Sequence, residues 1–124
     1  MLTMFALFAI ALSPIADEVD AATSACENAL AEANADEEAI PAARESCRSA
    51  CAALATAIEG AGLSDPAPFV GRVLSAWRVL DAAVAVGASG DLSFGGTVVL
   101  AADTELRRLR YEVAQQLAYE ASLP

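Results

Sequence analysis

The sequence predicts a mainly α protein: a small alanine-rich helical domain, with an N-terminal helical hairpin, two further helices, and a short glycine-rich hairpin or loop between those two. Three observations carry this prediction. Apolar residues make up 56% of the 124 residues, and many are alanine, the best helix former and a residue that lets helices approach closely. Apolar side chains recur three or four residues apart in successive segments, the spacing of one helix face. Glycine and proline gather at the joints, around residues 34–41, 60–68 and 87–96. The length suits one domain with a modest core.

The chain opens on LTMFALFAIAL (Leu2–Leu12), followed by Ser13, Pro14 and then Asp17, Glu18 and Asp20. A spanning helix needs about 20 apolar residues, and this run has the shorter length of a signal-peptide core. Residues 1–21 therefore read as a signal peptide or an N-terminal anchor, with a packed helix of a cytosolic protein as the further alternative. Cleavage fits after Ala16, where Pro14 is poor at the third position back, or after Ala21, where the small residues are better placed. No lysine or arginine precedes the apolar run, a departure from the usual signal pattern. TSAC (Thr23–Cys26) is only loosely like a lipoprotein signal.

Residues 22–124 read as a single helical domain, and residues 22–60 as its cysteine-bearing hairpin. The first helix spans about Val19 to Ala35, with Val19, Ala22, Cys26, Leu30 and Ala33 on one face. NADEEAIP breaks it. Pro41 suits the first turn of the second helix, and Asp36, Glu37 and Glu38 favour its positive dipole end. Ile40, Cys47, Cys51, Leu54 and Ile58 form the second apolar stripe, and Gly60 to Gly62 end it.

The third helix, within residues 64–87, starts with Ser64 or Asp65 as cap and Pro66 near its first position. Its face is Phe69, Val73, Trp77, Leu80 and Val84, and the two aromatics are expected to dominate the core. Residues 88–102 change in texture. Glycines and the β-branched run Thr97, Val98 and Val99 suggest a loose hairpin turning near Ser89, Gly90 and Asp91, or a loop. The last helix spans 103–122, capped by Asp103 or Thr104, with Leu106, Leu109, Val113 and Leu117 facing inward.

Composition narrows the chemistry. The chain has no histidine, the commonest general base and metal ligand. It has no lysine either, so Schiff-base chemistry and a Walker-type loop are missing. The net charge is −10, which disfavours phosphate backbones, and no nucleic-acid partner is expected. The acidity is concentrated: residues 17–59 hold ten acidic side chains against Arg44 and Arg48, a net of −8. Arg107, Arg108 and Arg110 are the one basic cluster, suited to a solvated face or an anionic partner.

The three cysteines are the most specific feature. In an antiparallel hairpin turning near residue 37, Cys26 and Cys47 fall at nearly the same level on facing stripes, which makes them the candidate disulfide. Cys51 lies one turn further along the same face as Cys47, and is either a rival partner for Cys26 or a free thiol. All three together form a possible thiolate metal or redox site, but with no obvious fourth ligand and no CxxC, no metal or cofactor is expected.

Together these features suggest a small exported, non-enzymatic protein, secreted or periplasmic, with a structural or protein-interaction role. Its partner would be another protein or a second copy. The alternatives are a membrane-tethered accessory protein, with the membrane a partner only if residues 2–16 are kept as an anchor, and a thiol-dependent metal-binding or redox protein using Cys26, Cys47 and Cys51. No residue stands out as catalytic.

Overall fold

Alanine-rich segments with apolar stripes gain most of their stability as helices by packing those stripes together. A computed structural model describes the backbone of residues 2–87 and 92–124, and the side chains of residues 15–87 and 96–124. Four helices make up nearly all of it: α1 (Leu2–Ala35), α2 (Ile40–Glu59), α3 (Ala67–Val86) and α4 (Leu92–Ala121). No strand occurs among the described residues. Each helix runs antiparallel to the one before it. α1 packs on α2, α2 on α3, α3 on α4, and α4 closes back on α1, so the fold is an up-and-down four-helix bundle.

The joints follow from local chemistry. At the first, the Asp36 carboxylate accepts from the Glu38 backbone N–H at 3.0 Å and starts one 3₁₀ turn, Glu37–Ala39, that leads into α2. Pro41 sits in the first turn of α2, where its missing N–H costs nothing. At the second joint the Asp65 carboxylate accepts from Ala67 N–H at 3.3 Å, just ahead of α3. Ser64 N–H donates to the Glu120 carboxylate at 2.7 Å, which ties this loop to the end of α4.

Gly87 ends α3 with φ +58° and ψ −140°, a backbone conformation that side chains disfavour. It also sits against the first joint. A Cβ placed there would lie 3.1 Å from both the Ala33 carbonyl oxygen and Ile40 Cδ1. Only glycine lets the end of α3 press this closely on the α1–α2 turn.

The core departs from the sequence expectation in two places. Residues 97–99 are helical, since α4 begins at Leu92 and takes in the stretch expected as hairpin or loop. The reason is periodicity. Val99 and Ala102 extend the face of Leu106, Leu109 and Val113 at spacings of three and four, and burying a continuous face outweighs the few tenths of a kcal/mol by which β-branched residues disfavour helix. Asp103 consequently sits inside α4, where it pairs with Arg107 one turn on at 2.9 Å rather than capping anything. The turn expected near residues 89–91 lies outside the described residues.

The second departure concerns the aromatics. Phe69 and Trp77 are only half-buried at the edge of the core. Its centre is aliphatic: Ile15, Val19, Leu54, Ile58, Val73, Leu80, Val84, Leu106, Leu109 and Val113 are at most 2% exposed. Ile15 and Val19 matter for the N-terminus, because both come from the segment expected to be signal or anchor.

Candidate functional site

The cysteines sit where α1 and α2 face each other. Small side chains line this interface. Ala22, Ala29 and Ala33 on α1 and Ala43 on α2 are fully buried around Cys26, Cys47 and Cys51, which are themselves at most 2% exposed. Helix Cα atoms lie about 2.3 Å from the axis, so the Cys26–Cys47 Cα separation of 4.5 Å corresponds to axes at most about 9 Å apart, an ordinary packing distance. The alanines allow that approach without forcing it. The Cys26 and Cys47 sulfurs are at bonding distance.

Cys51 completes a triangle. Its Sγ lies 3.8 Å from Cys26 Sγ, and the three sulfurs are all within 4.8 Å of one another. With Cys26 and Cys47 bonded, Cys51 is the one that keeps an S–H, and it donates that weak hydrogen bond to Cys26 Sγ. Burial pushes the Cys51 thiol up from 9.0 to about 11, so at neutral pH it is a protonated, poor nucleophile. Among the described residues these three form the one group of three or more histidine, cysteine or carboxylate side chains close enough to share an ion. Thr23 is the one buried polar side chain nearby in sequence, and its hydroxyl already donates to the Asp20 carbonyl at 3.1 Å.

The other sequence candidates are placed by packing. Asp36, Glu37 and Glu38 are exposed at the first joint, and only Asp36 has a structural task. The basic cluster is partly neutralised within the chain. Arg107 reaches Glu27 on α1 at 3.2 Å as well as Asp103, and Arg110 lies 3.8 Å from Asp20. The Glu27 and Asp20 pairs link α4 to α1 at the surface.

Two arrangements escape a linear reading. Arg44 on α2 makes a two-pronged pair with Asp81 on α3, at 3.0 and 2.9 Å. Arg72 on α3 pairs with both Glu105 and Glu112 on α4. Arg72 and Glu105 also line a shallow groove between α3 and α4, together with Gly71, Ser75 and Ala101. The four-residue spacing of Gly71 and Ser75 is the one sequence signal of that groove. Among the described residues, no helix is long and apolar enough to cross a membrane. No protein-family model, no curated protein and no solved structure matches this chain.

Proposed function

We propose that the chain is a small exported, non-enzymatic helical protein with a structural or protein-interaction role. The observation that carries this reading is the Cys26–Cys47 pair at bonding distance inside the α1–α2 interface. Such bonds persist in oxidising compartments. A small-residue interface gains little from apolar burial, and a covalent link there supplies what packing does not. The third thiol is buried and held protonated, which suits a core residue better than a nucleophile.

Under this reading the buried residues favour the earlier of the two cleavage points. Either cut removes the buried Ile15, and the cut after Ala21 also removes Val19, which is fully buried. Removal after Ala16 keeps Val19. The mature chain is therefore expected to start near Asp17, with a partner, whether another protein or a second copy, meeting the outer helix faces.

Intact mass of the purified protein tests this, with alkylation under denaturing conditions before and after reduction. The expected result is a start near residue 17, one alkylated thiol without reduction and three with it. Three alkylated thiols without reduction would remove the basis for export. A full-length chain recovered in the membrane fraction would favour tethering by residues 2–16 instead.

A second reading is supported by the compact sulfur triangle. In the reduced chain Cys26, Cys47 and Cys51 would hold a thiophilic metal ion between α1 and α2.

A further inference from the structure

Resting on that second reading, we infer that the reduced Cys26, Cys47 and Cys51 cluster takes a trivalent, three-coordinate thiophilic element, of which arsenic(III) in its neutral hydroxide form is the type. The inference starts from what the triangle is not. If Cys51 were placed to exchange with the disulfide, its sulfur would lie in line with the bond it attacks. An in-line approach to Cys26 would put Cys51 Sγ about 5.8 Å from Cys47 Sγ, since an ordinary S–S bond of about 2 Å adds to the 3.8 Å contact. All three sulfurs instead lie within 4.8 Å of one another. Once the Cys26–Cys47 bond is open, sulfurs this close can all reach one centre.

Charge then selects the centre. Three thiolates carry three negative charges, and all three cysteines are at most 2% exposed among alanine, leucine and isoleucine. Bonded to three thiolates, a monovalent ion would leave two uncompensated charges in that interior and a divalent ion one, unless one sulfur keeps its proton and gives up a full metal–thiolate bond, and burying an uncompensated charge is strongly unfavourable. A trivalent centre leaves none. Coordination number agrees. Zinc(II) with three protein ligands needs a fourth, usually water, and among the described residues no further histidine, cysteine or carboxylate joins the cluster. Arsenic(III) is satisfied by three sulfurs and a lone pair.

Proton balance agrees as well. Arsenous acid, As(OH)3, is neutral at neutral pH. Each of three S–H groups gives its proton to one hydroxide, three As–S bonds replace three As–O bonds, and three waters leave. No electron moves and no external base is needed, so a thiol that resists ionisation is no obstacle. The cysteine pair must first be open, which takes two electrons from a thiol or phosphine reductant. Disulfide and arsenic are therefore mutually exclusive occupants of the same three sulfurs.

The test uses the full chain, reduced with a phosphine and titrated with arsenite at neutral pH. Native mass spectrometry is expected to show one arsenic gained and three protons lost, with all three thiols protected from maleimide. Cys51→Ala is expected to weaken binding on the order of 100-fold, the loss of one pre-placed bond, with helicity by circular dichroism unchanged. Cys51→Ser should behave alike and covers the case where the alanine variant folds poorly. The same titration in guanidinium should be weaker, because the unfolded chain does not hold its thiols together.

Equal affinity in denaturant, equal affinity of the Cys51 variants, or a reactive thiol at saturating arsenite would each overturn the inference. Zinc(II) protecting all three thiols more tightly than arsenite would overturn the charge argument while leaving the broader metal reading intact. If neither binds, both fall, and the disulfide reading stands on its own mass measurement.

Discussion

The two halves of the bundle are held by different means. Where α1 and α2 meet near their turn, the buried residues are small: Ala22, Cys26, Ala29, Ala33, Ala43, Cys47 and Cys51. Where α3 and α4 meet, the buried residues include Val73, Leu80, Val84, Leu106, Leu109 and Val113, and Arg72 bridges the rim to Glu105 and Glu112. Apolar burial contributes roughly 25 cal/mol per Å², so an alanine interface gains much less from it than a leucine interface of equal length. The α3–α4 half is stabilised by burial; in the α1–α2 half the large buried side chains, Ile15, Val19, Leu54 and Ile58, lie away from the turn, and the stretch near it relies on small-residue packing and the cysteine pair. A cysteine pair, and a glycine that lets α3 press on the turn, act there where large side chains are missing.

The largest expected effect breaks the apolar half. Leu106 is fully buried on α4, and Leu106→Ala should cost about 3–5 kcal/mol through lost transfer energy and the cavity left behind. Urea unfolding should show a lower midpoint in oxidised and reduced protein alike. A loss below about 1 kcal/mol would mean that the α3–α4 core collapses around the gap and is not the dominant burial.

Next comes the covalent half. Cys26 and Cys47 are 21 residues apart, and in the chain-entropy model a loop of that size contributes about 3 kcal/mol. Reduction should lower Tm by on the order of 10 °C for a chain of this length. Amide exchange should accelerate first in α1 and α2. Uniform acceleration over all four helices would show that the two halves are one cooperative unit, and the contrast between them would lose its energetic meaning.

Gly87→Ala acts on the seam between the halves. The positive φ and the two 3.1 Å approaches to Ala33 and Ile40 should together cost about 1–3 kcal/mol. Gly71→Ala is the control. A Cβ there meets nothing within 4 Å, and a helical glycine replaced by alanine is expected to gain about 0.5–1 kcal/mol. Similar effects at the two glycines would refute the close-approach argument.

How far these features were legible in the sequence depends on range. Spacings of three and four residues carry the helices and most of the buried face, because helix periodicity is local. The hairpin register that brings Cys26 level with Cys47 follows from counting residues on either side of one turn. The helical state of residues 97–99 is hidden because their β-branched character is visible locally, whereas the face that Val99 shares with Leu106 and Leu109 acquires value only against α1 and α3. The half-burial of Phe69 and Trp77 is hidden for the same reason. Side-chain size predicts how much surface is available to bury, and helix rotation decides how much is buried. Arg72 with Glu105 and Glu112 joins residues far apart in sequence, and no local pattern announces it. The sulfur triangle was half legible: i, i+4 spacing places Cys51 on the Cys47 face, but only packing shows it buried and 3.8 Å from Cys26.

A change of pH sharpens the comparison at the third thiol. Cys51 is the buried titratable group of the α1–α2 half, raised by burial from 9.0 to about 11. The folded chain holds this proton more tightly than the unfolded chain does. The stability linked to it is therefore fully present below pH 9.0 and is lost as pH rises toward about 11. Over that window the Tm of the oxidised wild type should fall faster than that of Cys51→Ala, which lacks the titrating group, and the two curves should run parallel below it. Parallel curves throughout would mean that Cys51 ionises as readily in the bundle as in the unfolded chain. The interface would then be open to water, and the contrast between a closed small-residue half and a packed aliphatic half would fail at its centre.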